Sequence, residues 1–442
     1  MSAKADTICA IATPPGRGGV GVVRLSGPDS MAIAEQLTGP LPAQRSFGLR
    51  RFRSATGEVI DEGLVLCFAG PASFTGEDVV ELQAHGSPVV LEMLLSACVA
   101  AGARRATPGE FSQRAFLNDR MDLAQAEAVA DLIAAGSEKA ARAARRSLEG
   151  EFSGRVNALS EALTSLRVWI EAALDFPDED VDFLADGEVL GQVQALRERL
   201  AALLTAARSG RLLNDGIRVA IIGPPNAGKS SLLNALSRRD SAIVTATPGT
   251  TRDVLRETVS IAGLSVTLAD TAGLRETRDL IEAEGVRRAH LEMKAADLIF
   301  WVVDDSQAHP TPPPGLPEGV PLLRIHNKID LTDGPARCQD RSVWLSASSG
   351  EGLDLLEALV LNELGVDDQA GGEFSARQRH VERLDEALRL IDQGLEELTA
   401  TGSGELLADD LRHAAEALGE ITGAVTADEL LGRIFASFCI GK

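Results

Sequence analysis

The alternation of apolar and polar residues divides the chain into stretches of two periods. Short apolar runs at Thr7-Ile-Cys-Ala-Ile11, Gly21-Val-Val-Arg-Leu25, Leu64-Val-Leu-Cys-Phe68 and Val79-Val-Glu-Leu82 predict strands. Between them, Pro88–Ala101 has helical spacing and stops at Gly102. From Asp122 to Asp175 the chain turns Ala/Leu-rich with a 3.6-residue period, and Leu159, Leu163, Leu166 and Ile170 share one stripe, which predicts long amphipathic helices. Strand-like runs return at Ile217-Arg-Val-Ala-Ile-Ile222, Leu264-Ser-Val-Thr-Leu-Ala269 and Leu322-Leu-Arg-Ile-His326, with Ser231-Leu-Leu-Asn-Ala-Leu236 as a helix. Helical spacing resumes over Gln378–Leu398, Glu405–Leu418 and Ala427–Phe438. Three such helices would struggle to bury their apolar faces alone. The economical arrangement packs them on the earlier helices, with the second α/β unit inserted between about Gly210 and Ala376. The Pro-rich stretch from Pro310 to Pro321 then reads as a surface loop within the insert. The predicted fold class is multidomain α/β plus all-α. Residues 1–118 form an N-terminal α/β domain, 119–210 and 376–442 a discontinuous helical domain, and 211–375 an inserted domain with a mostly parallel sheet.

Composition narrows this picture. A chain of 442 residues has ample length for two or three domains with real cores. The formal charge of -22 argues against a surface coated in basic residues for nonspecific nucleic-acid binding, although a local basic patch stays open. Cys9, Cys67, Cys98, Cys338 and Cys439 are odd in number and widely scattered, which predicts reduced thiols and a cytoplasmic protein. No secretory signal precedes Thr7, and no long apolar run is free of charge, so a membrane span is not expected.

Candidate chemistry gathers in the inserted segment. Gly223-Pro-Pro-Asn-Ala-Gly-Lys-Ser230 fits the phosphate-loop pattern and lies between a predicted strand and helix. Its glycines let backbone N–H groups face phosphates, and the helix N-terminus adds a favourable dipole. Asn226, Ala227, Gly228, Lys229, Ser230 and Ser231 are therefore expected to bind a nucleotide, with Lys229 on the β- and γ-phosphates and the Ser230 hydroxyl on Mg²⁺. Asp270, Thr271, Ala272 and Gly273 end another strand-like run; Asp270 would hold the metal through water, and the Gly273 N–H could sense the γ-phosphate. Thr251 is the candidate for the second hydroxyl on Mg²⁺, which makes Asp240–Asp253 a switch containing Thr245, Ala246, Thr247, Pro248, Gly249 and Thr250.

Base choice follows from Asn327-Lys-Ile-Asp330. A carboxylate at Asp330 can accept both N1–H and the 2-amino group of guanine, a donor pair that adenine lacks. Lys328 would lie along the base plane. The third recognition segment is Ser346, Ala347 and Ser348, where the Ala347 N–H would meet the guanine oxygen. Five segments in this order make GTP the expected ligand. One position departs from the common pattern: Leu274 follows Gly273 where many GTPases carry a water-orienting glutamine. Glu282 is the candidate to replace it through a bridging water, or else a solvated residue at a helix start.

The chain resembles the bacterial tRNA modification GTPase MnmE (TrmE) family over essentially its whole length. The segments that carry the resemblance are Thr7-Ile-Cys-Ala-Ile-Ala-Thr-Pro-Pro-Gly-Arg-Gly-Gly-Val20, Phe74-Thr-Gly-Glu-Asp-Val-Val-Glu-Leu-Gln83, Thr107-Pro-Gly-Glu-Phe-Ser-Gln-Arg-Ala-Phe-Leu-Asn118 and the tail Phe438-Cys-Ile-Gly-Lys442. The resemblance implies a GTPase of Ras-like fold that works with the flavoprotein MnmG. Together they would place an aminomethyl or carboxymethylaminomethyl group on the wobble uridine of certain tRNAs. It implies an N-terminal domain that dimerises and binds a tetrahydrofolate one-carbon donor, formyl or methylene, through Arg24, Glu81, Arg120 and the terminal Lys442. Arg120 stands where the family usually has Lys, which keeps the charge and changes the hydrogen-bond geometry. Without the resemblance, Arg24 and Glu81 read as an ordinary strand-edge pair.

The resemblance also implies G domains that meet face to face around K⁺, held by Asn226, Thr245, Thr247 and Thr250, and it aligns Glu282 with the family's water-positioning glutamate. Cys439 is either a reactive thiol near the folate site or a small apolar anchor for the tail. Lys139, Arg142, Arg145 and Arg146 lie largely on one helix face, with Glu138, Glu149 and Glu151 close by; they form either an RNA contact or a solvated charged face. Two alternatives differ in class. A ribosome-assembly GTPase would share the nucleotide segments but usually carries a basic RNA-binding appendage. A nucleotide-controlled scaffold would dimerise and perform no chemistry at its N-terminus.

Overall fold

The computed structural model describes residues 6–44, 46–175, 188–239, 256–270, 291–307, 316–317, 319–332, 334–365, 374–425, 428–438 and 440–441. The chain forms two compact units, one of Met1–Ala130 with Gly419–Lys442 and one of Asp131–Leu418.

The first unit is built on strands β1 (Ile8–Ile11), β2 (Gly18–Ser26), β3 (Phe47–Arg53), β4 (Val59–Phe68), β5 (Val79–Gly86) and β6 (Arg104–Arg105), in the order β3-β4-β5-β2-β1-β6. Every pairing is antiparallel except β1 with β6. The two-residue side-chain period sends Cys9, Val23, Leu25, Phe52, Val65 and Leu82 to one face, in a core shared with helices Ser30–Thr38 and Pro88–Ala100. It also sends Arg24 and Glu81 to the opposite face, as direct partners in the β2–β5 register.

The apolar runs locate β1, β4 and β5, and β2 extends beyond the predicted Gly21–Leu25. Strand β3 lacks their signal. It is an edge strand with Arg50, Arg51 and Arg53, and its outward Phe47 and Leu49 are 72% and 60% exposed, so no apolar alternation marks it. The C-terminal helix Asp428–Ala436 belongs to the same unit, where Ile434, Phe435 and Phe438 pack with Leu123 and Ala126. Gly109 allows this contact: at φ +69°, a Cβ there would lie 2.4 Å from the Phe435 carbonyl oxygen.

A polar cluster fixes the start of helix Glu110–Leu117. Buried Glu110 accepts from Arg104 at 2.6 and 3.1 Å, from Arg114 at 3.1 Å, and from the Thr107 N–H at 2.9 Å. Burial works to raise its carboxyl, but the hydrogen bonds from Arg104, Thr107 and Arg114 prevail and pull it from 4.5 down to about 2. A depressed carboxylate contributes stability that is fully present above pH 4.5 and is lost as pH falls toward about 2. Glu110→Gln should therefore cost about 2 kcal/mol at neutral pH, with the difference from wild type shrinking across that acid window. All three tryptophans, Trp169, Trp301 and Trp344, lie in the second unit. Amide hydrogen exchange in β1 and β2 is thus the measurement; a pH-independent difference would contradict the assignment.

The second unit contains strands β7 (Ile217–Ile222), β8 (Arg256–Ile261), β9 (Leu264–Asp270), β10 (Leu298–Asp304), β11 (Leu322–Asn327), β12 (Arg337–Gln339) and β13 (Ser342–Trp344). Their order is β12-β13-β11-β10-β7-β9-β8, and only the outer pairs β8–β9 and β12–β13 are antiparallel. Strand β10 is buried along its entire length, as expected for an interior parallel strand. The chain leaves β7 toward β9 and later reaches β10 on the other side. Strand order therefore reverses at β7, and the crevice beyond its carboxyl end is where such a sheet binds ligands.

Helices Glu138–Leu148, Glu151–Asp175, Glu188–Asp215 and Gln378–Thr401 belong to the same unit. The predicted stripe Leu159, Leu163, Leu166 and Ile170 is buried. The helical stretch from Asp122 to Asp175 is broken into three helices, beginning with Leu123–Ala134. Ser137 caps the second by accepting from the Ala140 N–H at 3.1 Å, and it donates to the Gly263 carbonyl of the β8–β9 turn at 2.6 Å. Arg208 pairs with Asp385 at 2.9 Å, and Arg197 with Asp392, between helices Glu188–Asp215 and Gln378–Thr401. At least two of the four basic residues on the face of helix Glu138–Leu148 have an acidic partner one turn away. Arg142 pairs with Glu138, Arg145 pairs with Glu149 at 2.6 Å, and the Lys139 stem packs over Gly263. The Pro-rich stretch from Pro310 to Pro321 lies mostly outside the described residues.

Candidate functional site

Strands β7, β9, β10 and β11 run parallel and end on one edge, so Gly223, Asp270, Asp304 and Asn327 follow or close their strands on the same side of the sheet. The Gly223–Ser230 loop leads from β7 into helix Lys229–Arg239. Gly223, at φ +150°, lets the loop lie against β10: a Cβ there would come within 2.1 Å of the Val302 carbonyl oxygen. Asn226 adopts φ +62°, a left-handed conformation that asparagine tolerates better than most residues, and is exposed. Lys229 is buried and donates to the carbonyls of Gly223 and Pro224, both at 2.8 Å, which holds its ammonium across the loop. Ser230 and Ser231 occupy the exposed first turn, where backbone N–H groups have no helical partner.

The three recognition segments meet through one side chain. The Asn327 amide donates to the Ala227 carbonyl at 3.0 Å, while its oxygen accepts the Ala347 N–H at 2.9 Å. Both contacts are buried, and the side chain braces the phosphate loop against the Ser346–Ser348 turn. The Ala347 N–H that the sequence assigns to a guanine oxygen is thus given to Asn327. A Cβ at Gly228 would fall 2.1 Å from the Asn327 nitrogen, so glycine makes room for the brace. The Ser346 and Ser348 hydroxyls share a 3.0 Å hydrogen bond, and Ser346 also accepts the Ser349 N–H at 3.2 Å. Asp330 stands exposed on the short turn Ile329–Leu331.

Sequence reasoning did not single out Asp304, which ends β10 and accepts Lys328 Nζ at 2.7 Å. Burial tends to raise its carboxyl, but hydrogen bonds from Lys328 and Ser306 outweigh that and keep it below the ordinary carboxylate value. The available signal was the apolar run Leu298–Val303 ending in an acid, a further strand finishing on the site's edge. Thr245, Ala246, Thr247, Pro248, Gly249, Thr250, Thr251, Thr271, Ala272, Gly273, Leu274 and Glu282 lie outside the described residues, as does the side chain of Asp270.

In the first unit, Arg24 and Glu81 form a half-buried ion pair. Arg24 reaches Glu81 Oε1 from Nε at 2.9 Å and from its terminal nitrogen at 2.8 Å. Its guanidinium carbon lies 5.6 Å from the Phe74 ring centre and 5.8 Å from that of Phe111. The C-terminal tail closes on this pair: Gly441, at φ +93°, lies against Ile11 and places its carbonyl 3.5 Å from Arg24. Arg120 packs its stem beside Gly76. Cys439 and Lys442 lie outside the described residues. Cys9, Cys67 and Cys98 are buried free thiols and Cys338 is exposed. Among the described residues, no helix is long and apolar enough to cross a membrane.

Residues 7–120 match the family described as the GTP-binding protein TrmE N-terminus, and residues 123–439 match the MnmE helical domain. The tRNA modification GTPase MnmE of Stutzerimonas stutzeri strain A1501 is 55% identical over 455 residues, covering 99% of this chain and 99% of its own. The tRNA modification GTPase MnmE of Chromohalobacter salexigens is 53% identical over 450 residues, covering 99% of this chain and 98% of its own. Among solved structures, an Era variant of Aquifex aeolicus bound to GDP and AlF4⁻ is 27% identical, covers 33% of this chain and 56% of its own, and has a TM-score of 0.26. The fold thus combines a TrmE N-terminal domain, a helical domain and a P-loop GTPase sheet. With both domain types in order and full-length identity above one half, the chain belongs to the MnmE (TrmE) family of tRNA modification GTPases.

Proposed function

We propose that the chain hydrolyses GTP to drive modification of the wobble uridine of tRNA, working with the flavoprotein MnmG. Together they add an aminomethyl or carboxymethylaminomethyl group, using a tetrahydrofolate derivative as donor of one carbon of it. The working unit is a cytoplasmic homodimer joined through the N-terminal domain. Its parts are residues 1–118, a helical domain of 119–210 with 376–442, and a GTPase domain of 211–375. The observation that carries the GTP reading is the Asn327 brace, which joins phosphate loop, base-recognition turn and Ser346–Ser348 in one buried constellation. Family membership supports the tRNA role.

In this reading Lys229 meets the β- and γ-phosphates, and Asp330 accepts the guanine donors. Glu282 orients the attacking water in place of the glutamine that Leu274 excludes. Asn226 and Ser230 supply side-chain oxygens beside Lys229, a donor type that suits hard cations. Ser230 and Thr251 would hold Mg²⁺, and Asn226, Thr245, Thr247 and Thr250 would hold K⁺. Bound there, these cations supply positive charge against the phosphate oxygens. At the second site, both Arg24 contacts fall on Glu81 Oε1, and among the described residues Oε2 accepts nothing. A free carboxylate oxygen beside a cation fits the donor edge of a pterin. Arg120 and Lys442 would meet the acidic tail of the folate. Bound folate supplies the one-carbon unit; Glu81 and Arg24 orient it.

The test is GTP turnover at matched ionic strength in K⁺ and in Na⁺. Turnover should be at least about tenfold faster in K⁺, the scale of one well-placed charge in the transition state. Equal rates would contradict the cation-assisted mechanism.

A further inference from the structure

The base-recognition turn is held from behind by an acid that no motif names. Asp304 is 6% exposed and its carboxylate accepts four donors: Lys328 Nζ at 2.7 Å and Gln307 Nε2 at 3.0 Å on Oδ2, and the Ser306 hydroxyl and N–H at 2.6 and 3.0 Å on Oδ1. Lys328 is the one cation paired with it among the described residues. At its other end Lys328 is equally constrained. Its backbone sits at φ +70°, unusual for a residue with a side chain, in a turn where the Asp305 N–H donates to the Asn327 carbonyl at 2.9 Å. Asp305 holds the flanks of the same turn through His326 at 3.2 Å and Thr332 at 3.1 Å. The Lys328 stem between these fixed ends passes the phosphate loop, with Cε 4.0 Å from where a Cβ on Gly228 would sit.

A lysine has four rotatable bonds and loses substantial freedom when its stem must form a wall. Here that freedom is already removed, because the strand that carries Asp304 is fully buried and the carboxylate is charge-matched to the ammonium. We infer that Asp304 is a positioning residue for the guanine base: it pins the Lys328 stem as one wall of the base site and so sets nucleotide affinity, with little influence on phosphoryl transfer. The inference rests on the reading of Asn327–Asp330 as the base-recognition turn and extends it to a residue outside that turn.

Asp304→Asn keeps the shape but removes the charge and turns one of the two accepting oxygens into an –NH₂ donor, so the donors on that side lose their acceptor. In the full-length chain, dissociation constants for GDP, inosine diphosphate and ADP would be measured alongside steady-state GTP hydrolysis. The KM for GTP and the Kd for GDP should rise about tenfold, while kcat stays within about twofold. The preference for GDP over inosine diphosphate should persist, because Asp330 is untouched. In a Lys328→Met background, adding Asp304→Asn should change affinity by less than about twofold. Lys328→Met alone should weaken GDP binding by a factor similar to that of Asp304→Asn, which provides a readout should the aspartate variant fold poorly. Wild-type affinity in Asp304→Asn, unaltered affinity in Lys328→Met, or collapse of kcat and of the GDP preference together would overturn the inference. A wild-type chain with no preference for GDP over ADP would instead overturn the base-recognition reading itself.

Discussion

An Asp330→Asn chain should lose GTP affinity by about a thousandfold and gain xanthosine triphosphate as a substrate, on the scale of two charge-assisted hydrogen bonds removed from one base edge. The carboxylate accepts, and guanine offers two donors in line, N1–H and the 2-amino group. Asparagine turns one acceptor into an –NH₂ donor, which then faces the 2-amino group donor to donor. Xanthine carries a carbonyl at that position and restores the match. Asp330 is exposed on the turn Ile329–Leu331, so the exchange removes no buried partner and should leave the fold intact. Steady-state hydrolysis of both triphosphates by the wild type and the variant measures the exchange. Undiminished GTP turnover by the variant would show that another group reads the base.

The nucleotide site was legible because its chemistry is local. A phosphate loop needs two glycines five positions apart followed by Lys-Ser, and a carboxylate that reads guanine sits three residues after an asparagine. Both fit within single short segments, and strand β7 ends at the predicted Ile222. The roles of the partners were less legible. Asn327 spans 100 residues to reach Ala227 and 20 to reach Ala347, and nothing in Asn-Lys-Ile-Asp reveals that its amide braces two other loops. Asp304 was missed for a similar reason: its significance comes from the parallel register that aligns β10 with β11, not from its neighbours in sequence.

The N-terminal unit shows the same division. Apolar runs marked four of its strands, whereas β3, with three arginines and exposed apolar groups at a sheet edge, carried no such pattern. Arg24 and Glu81 are 57 residues apart, and only the antiparallel β2–β5 register places them directly opposite each other. Composition and periodicity cannot supply that register; the family resemblance supplied the pair. The cluster of Asp6, Glu77, Arg104, Glu110 and Arg114 was invisible for the same reason, since it draws on four separate segments.

The largest expected effect lies in cells. If GTP hydrolysis here serves tRNA modification, deleting the gene should abolish the aminomethyl and carboxymethylaminomethyl forms of wobble uridine completely. No property of the nucleotide site alone predicts this, because a ribosome-assembly GTPase could share its phosphate loop and guanine-reading turn. Folate binding by residues 1–118 with the helical domain would count against a scaffold without chemistry of its own. A copy carrying Glu81→Gln should fold and hydrolyse GTP yet fail to restore the nucleosides, since Glu81 belongs to a different unit from the GTPase sheet. The decisive measurement is mass analysis of tRNA nucleosides from cells without the gene and from the same cells given the wild-type copy. The modified wobble uridines should be lost and should return with the wild-type gene; an unchanged nucleoside profile in the deleted cells would show that this chain does not serve their formation.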